Sequence, residues 1–324
     1  MRILLKIHIL KISLLTLFIA LHSSCQFAGD KSTTIRLAYL QSDLHHLPAF
    51  VALEKGFYQQ EGISVEVSGI FKAGPEMMSG FSAGSIDAGY VGLAPVVVAV
   101  ANKTAQLQIL AQVNKNGSAL VIKKTAPFRQ LAELREKVIA IPGHATIQDF
   151  LLRKALLDAG ISGTDTTVIT IKPPEMISVL QSSQIDAFIA WEPYPSLAIT
   201  RDAGTVLTYS KDIWPDHPCC VLVVDSTFSN QNPSQTDALR KAHLNSLSFI
   251  KNNPAETLRI GIKYTAMDEK TVEIALRNIE FDYHITTTQA LEYVEFLNKL
   301  GYTNITQPQS FLESLTVAQP SSSN

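Results

Sequence analysis

The sequence predicts an α/β protein of two similar lobes, each a mostly parallel sheet flanked by helices, with a helical C-terminal region. Three observations carry this. Residues 75–92 (PEMMSGFSAGSIDAGYVG) and 174–191 (PEMISVLQSSQIDAFIAW) agree at seven of eighteen positions at a constant offset of 99. Short apolar strands alternate with helices of about ten residues, the pattern of βαβ units and parallel pairing. The 324 residues also exceed the roughly 250–300 that one core supports.

Composition narrows the class. The chain is 46% hydrophobic and 17% charged, which suits a packed core and excludes global disorder. Lys and Arg number 27 against 29 Asp and Glu, so no bias toward nucleic acid exists.

The first element is a targeting signal. Arg2, Lys6 and Lys11 precede the apolar run Ile12–Leu21, which at ten residues is half of a spanning helix. His22-Ser23-Ser24-Cys25 follows, and small residues before a cysteine look like a bacterial lipoprotein signal. Leu21 stands one place earlier than that pattern's usual leucine. A conventional secretory signal and an uncleaved anchor are the alternatives. Residues 1–24 are expected to be the signal, with Cys25 lipidated and 25–32 a linker. Cleavage before Cys25 leaves 300 residues and moves the formal charge from −2 to −5.

The halves share a grammar. Ile35–Leu40 and Lys137–Pro142 are short apolar strands, each followed by a polar loop with His and then an amphipathic helix. Those helices run over Leu47–Lys55, stopped by Gly56, and Thr146–Ala159, stopped by Gly160. Strand residues follow at Ile63, Val65 and Val67, and at Val168 and Ile171. In the repeated windows Pro75 and Pro174 sit in the first helical turn, with Glu76 and Glu175 at its positive end. Asp87 and Asp186 recur just before apolar strands and are read as loop-pinning residues. Second helix starts follow at Ala94-Pro95 and Glu192-Pro193.

Between the halves lie Leu107–Val113, a loop at Asn114–Gly117, and the apolar Ser118–Ile122. After the second half come Trp214–Pro218 and the strand Cys220–Val224. From Pro233 the pattern is helical only: Ala238–Ile250, Pro254–Tyr264, Asp268–Leu276 and Thr286–Leu300. The chain therefore divides into a discontinuous first lobe (33–122 and 220–318), a second lobe (123–219) and a disordered tail (319–324). Ligands of open α/β sheets bind outside the C-terminal strand ends, so a cleft between lobes is the expected site.

The cysteines are Cys25, Cys219 and Cys220. With Cys25 lipidated only a vicinal pair remains, so no disulfide framework is expected. No CxxC or HExxH spacing is present, and no metal site is assigned. His45, His46, His144, His217, Cys219 and Cys220 do map near the cleft, and thiolate with imidazole suits a soft metal, which leaves a metal-binding variant as an alternative.

His46–Val67 (HLPAFVALEKGFYQQEGISVEV), Ala83–Pro95 (AGSIDAGYVGLAP) and Ile185–Tyr194 (IDAFIAWEPY) resemble the nitrate/sulfonate/taurine/bicarbonate class of solute-binding proteins that serve bacterial ABC importers. The resemblance spans about Thr33 to Leu300. It implies a two-lobe, type II periplasmic-binding fold with hinge closure, no catalysis and no cofactor. Together with the N-terminal signal and Cys25, it leads to the expectation of an exported monomer, lipid-anchored at the outer face of the bacterial cytoplasmic membrane, that delivers its solute to permease subunits.

Carried over by position, the resemblance implies a ligand held among Ser42, Asp43, His45 and His46; Gly74 and Pro75; Gly92, Leu93 and Ala94; Asn114 and Asn116; His144, Ala145 and Thr146; Trp191, Glu192 and Tyr194; and His217. Several of these loops open helices, whose N-termini bind an oxyanion without a formal cation. None contains Arg, which argues against a dicarboxylate. Trp191 and Tyr194 suit stacking on an organic body. Glu192 suits a ligand N–H and would repel a bare anion, so a small organic anion is favoured over an inorganic one. Enzymes of pyrimidine or menaquinone precursor metabolism on the same fold are the competing class. The secretory signal and the lack of GxSxG, Walker or HExxH motifs argue against them. A sensory input lobe would need a transmembrane segment or a signalling domain downstream.

Overall fold

The computed structural model describes residues 34–285 and 287–317. The signal, Cys25, the 25–32 linker, Thr286 and the 319–324 tail lie outside the described residues.

Two sheets organise the chain. The first contains β1 (Ile35–Leu40), β2 (Val65–Phe71), β3 (Ala88–Gly92), β4 (Leu107–Asn116), β10 (Pro218–Asp225) and β11 (Ile279–Phe281), in the order β11-β4-β10-β3-β1-β2. The second contains β5 (Ser118–Lys123), β6 (Val138–Ile141), β7 (Thr167–Thr170), β8 (Ala187–Trp191) and β9 (Gly204–Tyr209), in the order β7-β6-β8-β5-β9. The parallel trio β2-β1-β3 in the first sheet repeats as β7-β6-β8 in the second. Next to each trio lies an antiparallel strand, β10 beside β3 and β5 beside β8. Each sheet takes that strand from beyond the stretch of chain that supplies its parallel trio.

The helices that matter for the site start at the C-terminal ends of parallel strands. They are α1 (Leu47–Lys55), α2 (Gly74–Ser82), α3 (Leu93–Ala101), α4 (Ile147–Asp158), α5 (Pro173–Gln181) and α6 (Tyr194–Thr200). Their boundaries follow local chemistry. Gly56 ends α1 at φ +68°, a left-handed cap open to glycine. Thr146 accepts from Asp149 N to begin α4. The cores beneath are mainly apolar, with Phe50, Met77 and Tyr90 on one sheet and Phe150, Met176 and Phe188 on the other fully buried.

Three expectations need correction. Asn114–Gly117 is not simply a loop: β4 runs on through Asn116, because β10 and β11 hydrogen-bond to it from both sides. The C-terminal region is not helical only, since β11 adds an edge strand to the first sheet. Ser118–Ile122 pairs with β8 and β9, so the chain changes sheets at Gly117 rather than after Ile122. The return passage runs through Ser210–Ile213 and Trp214–His217 into β10. The two passages touch: Asn116 N donates to His217 O at 3.3 Å, and Ser118 N to Ser210 Oγ at 3.1 Å.

Further contacts cross from one sheet's elements to the other's. Lys172 Nζ meets Glu76 Oε1 at 2.5 Å, Asn278 Nδ2 donates to Glu192 Oε1 at 2.7 Å, and Tyr302 Oη donates to Asp149 Oδ2. Phe150 of α4 stacks on Tyr293 with centroids 4.3 Å apart and on Trp214 at 5.0 Å.

Candidate functional site

Between the sheets lies a cavity of about 20 Å³, room for about one water molecule. Its walls are the starts of helices. Gly74 opens α2, Gly92 caps α3, Thr146 caps α4, and Asp43 caps the short 3-10 turn Leu44–His46. Helix N-termini leave N–H groups without intrahelical partners and carry partial positive charge. Starts from both sheets converging on one cavity therefore create an anion-favouring end without arginine.

Trp191 closes one side. It is 3% exposed, and its Nε1 is buried with no hydrogen-bond partner. Tyr194 meets it edge-on at 6.2 Å and donates to Gln41 O at 3.4 Å. His45, Cys219 and Cys220, all buried, line the same cavity. His45 Nε2 donates to Gly117 O at 2.7 Å, while Nδ1 faces both sulfurs. Burial disfavours charge on His45, but Cys219 and Asp43 beside it outweigh that and raise it to about 9. Burial in turn drives Asp43 up to about 7. His46 is held neutral, well below the usual imidazole range, by burial and then by His45. Its Nδ1 accepts from Leu40 N at 3.1 Å.

Of the residues expected at the site, Asp43, His45, Gly74, Gly92, Thr146 and Trp191 line this cavity. The others stand around it. Leu93 and Ala94 are buried in the first turn of α3, and Ser42 sits in a left-handed turn at φ 51°. Asn114 accepts from Cys220 N and donates to Lys115 O and Asn116 O, so it ties strands together. Asn116 is buried with its Oδ1 unpartnered. His217 donates from Nδ1 to Trp214 O at 2.7 Å and stacks on that indole.

Two placements correct the expectation. Glu192 is not free to take a ligand N–H: it is 1% exposed, Oε1 accepts from Asn278, and Oε2 accepts from Ser196 N at 3.1 Å. Burial pushes its carboxyl up, and those partners hold it back. His144, with Pro75 and Ala145, lines a different hollow of about 540 Å³ between α2 and α3. That hollow is larger but lacks convergent buried polar groups, so the small cavity is the better site. Leu40, Pro95, Ile147, Gln148, Cys219 and Cys220 were not among the expected ligand residues, yet they line the cavity. The helix starts marked Pro95 and Ile147; nothing in the sequence marked Gln148 or the inward turn of both cysteines.

Comparison with known proteins places the chain in a family and the fold among solved structures. The model of the NMT1-like family matches residues 28–261. A Brucella abortus protein named as a binding protein is 26% identical over 246 residues, 75% of each chain. A Bacillus subtilis protein named for binding aliphatic sulfonates is 28% identical over 238 residues, covering 72% of this chain and 71% of that one. Among solved structures, the periplasmic nitrate-binding protein NrtA from Synechocystis PCC 6803 superposes with a TM-score of 0.76 at 18% identity, covering 88% of this chain and 86% of the other.

Proposed function

The chain belongs to the NMT1-like family, and from that premise we propose that it captures a small organic anion between its sheets and delivers it to an ABC importer. The observation that carries this is the convergence of the Gly74, Gly92 and Thr146 helix starts on one cavity beside the unpartnered Trp191 Nε1. An oxyanion there receives backbone N–H donors from both sheets and one indole N–H, an arrangement that favours closure around it. The relative named for binding aliphatic sulfonates supports a solute of this kind. Drug-sized ligand pockets run to about 300–1,000 Å³, so a solute with an organic body enters with the sheets parted. The role in this reading is binding without turnover, which the relatives named as binding proteins support. The cell-envelope setting, with residues 1–24 removed, Cys25 lipidated and the protein monomeric, belongs to this reading.

A thermal-shift panel of alkanesulfonates, taurine, nitrate and bicarbonate tests it. A true solute at 100 times its Kd adds about 2.7 kcal/mol of stability. A panel in which no anion shifts the transition overturns the assignment.

A further inference from the structure

The wall of the cavity holds a buried donor set that the solute-binding reading does not use. Cys219 and Cys220 are consecutive in β10, where regular alternation sends neighbouring side chains to opposite faces. The ladder to β4 slips on both sides of Cys220, from Pro218↔Lys115 to Cys220↔Asn114 to Val221↔Gln112. Such irregularities re-aim side chains. Here they leave both sulfurs on one side, 3.8 Å apart. His45 faces them, with Nδ1 at 3.5 Å from Cys219 Sγ and 3.6 Å from Cys220 Sγ.

The imidazole is oriented by an outer partner. Nε2 donates to Gly117 O at 2.7 Å, which turns Nδ1 toward the sulfurs. Gly117 permits this approach: its φ is +86°, and a Cβ there would lie 2.3 Å from His45 Nε2. The spacing fits an ion. Metal–thiolate distances of about 2.3 Å and metal–imidazole distances of about 2.0–2.1 Å, at tetrahedral angles, separate sulfur from sulfur by about 3.8 Å and sulfur from nitrogen by about 3.6 Å. Two hydrogen-bonded thiols would also stand this far apart. They would not call for an imidazole locked with one nitrogen equidistant from both.

We propose that His45 Nδ1, Cys219 Sγ and Cys220 Sγ bind one thiophilic metal ion of the zinc type, its remaining coordination position facing the cavity. Two thiolates and an imidazole suit soft and borderline ions and exclude calcium or magnesium. The three ligand residues line the cavity themselves, so a fourth donor reaches the ion from that side. Asp43 Oδ1, 3.6 Å from His45 Nδ1, adds negative charge that favours a cation. Two thiolates balance the charge of a divalent ion, so what it would offer an anionic solute is its open coordination position rather than net charge. That last consequence rests on the solute-binding reading; the metal site does not.

The test uses the full chain, reduced and stripped with a chelator, titrated without any solute. Calorimetry with Zn2+ should give one ion per chain. Co2+ as a spectroscopic probe should give thiolate-to-cobalt charge-transfer absorption and the intense visible bands of a tetrahedral site. Cys219→Ser and Cys220→Ser should each weaken Zn2+ by more than the about 10–100-fold that loss of an outer-shell partner costs. His45→Gln should do the same. No stoichiometric binding by the reduced wild-type chain, a cobalt spectrum without sulfur ligation, or undiminished affinity in both serine variants would each overturn the site. The cobalt spectrum of the wild-type chain decides the matter even where a variant fails to fold.

Discussion

Asp87 and Asp186, ninety-nine residues apart, make the same pair of bonds in different sheets. Asp87 N donates to Arg36 O at 2.8 Å, and Asp87 Oδ2 accepts from Arg36 N at 2.9 Å. Asp186 N donates to Val138 O at 2.9 Å, and Asp186 Oδ2 accepts from Val138 N at 2.9 Å. Each aspartate thereby closes the gap between the first parallel strand of its sheet and the strand that follows it. The repeated Ile-Asp-Ala of the sequence is this clasp used twice.

Removing either carboxylate leaves a backbone N–H without its partner. Asp186→Ala should cost about 1–3 kcal/mol, the scale for an unsatisfied donor. Asp87→Ala should cost more, because Asp87 also pairs with the Arg36 guanidinium. With the two sites in separate sheets, the double variant should equal their sum within about 0.5 kcal/mol by urea unfolding.

Trp191→Phe keeps most of the apolar wall and deletes the unpartnered N–H. Affinity for the anion found in the panel should fall by about 10-fold or more, as for a charge-assisted hydrogen bond of roughly 1.5–3 kcal/mol. Calorimetry reads it directly. Unchanged affinity would remove Trp191 from the donor set.

His243 is buried and neutral, donating from Nε2 to Gln112 O at 3.0 Å and accepting at Nδ1 from Tyr90 Oη at 3.3 Å. Burial lowers it from 6.5 to about 4. Between those values the unfolded chain binds a proton that the folded chain does not. Stability therefore falls as pH drops from about 6.5 toward 4, by up to about 3 kcal/mol from this group. His243→Gln should flatten that part of the profile relative to wild type in denaturant titrations across this range.

Lys172 and Glu76 join the two sheets' elements at a partly exposed ion pair. Lys172→Ala should weaken the closed arrangement by up to about 1 kcal/mol, a several-fold shift in the open–closed ratio. Small-angle scattering without solute should show a larger radius of gyration than wild type, contracting when solute is added. An unchanged radius in both conditions would show that the sheets do not part.

Cys25→Ser should release the protein from the membrane fraction into the soluble envelope fraction, read by fractionation and immunoblot. An unchanged membrane fraction would assign the anchor to the uncleaved apolar run instead.

The strands and helices were largely legible because they rest on local signals. Gly56 and Gly160 marked helix ends, Thr146 a cap, and the Pro75/Pro174 pair the repeated helix start. What was not legible depends on pairing between distant segments. Asn114–Asn116 reads as a turn by composition, yet two neighbouring strands capture it. Ile279–Phe281 is too short to announce a strand and exists because β4 offers an edge. The same holds at the site. Glu192 looked available because its partner Asn278 comes from a remote helix end. Both cysteines face the cavity only because the ladder slips around them.

The bond from Asn116 to His217 has a mechanical reading. The two strands that carry the chain between sheets are fastened to each other at the point of passage, so they form a single pin rather than two separate straps. Any parting of the sheets is then close to a rotation with one degree of freedom. Groups beside the pin, His45 against Gly117 among them, travel little, whereas partly exposed groups away from it, such as the Glu76–Lys172 pair, travel farther. A machine that docks on the rim would sense the bound state through that lever arm, while the donors that the two sheets contribute to the cleft come together only as the swing closes.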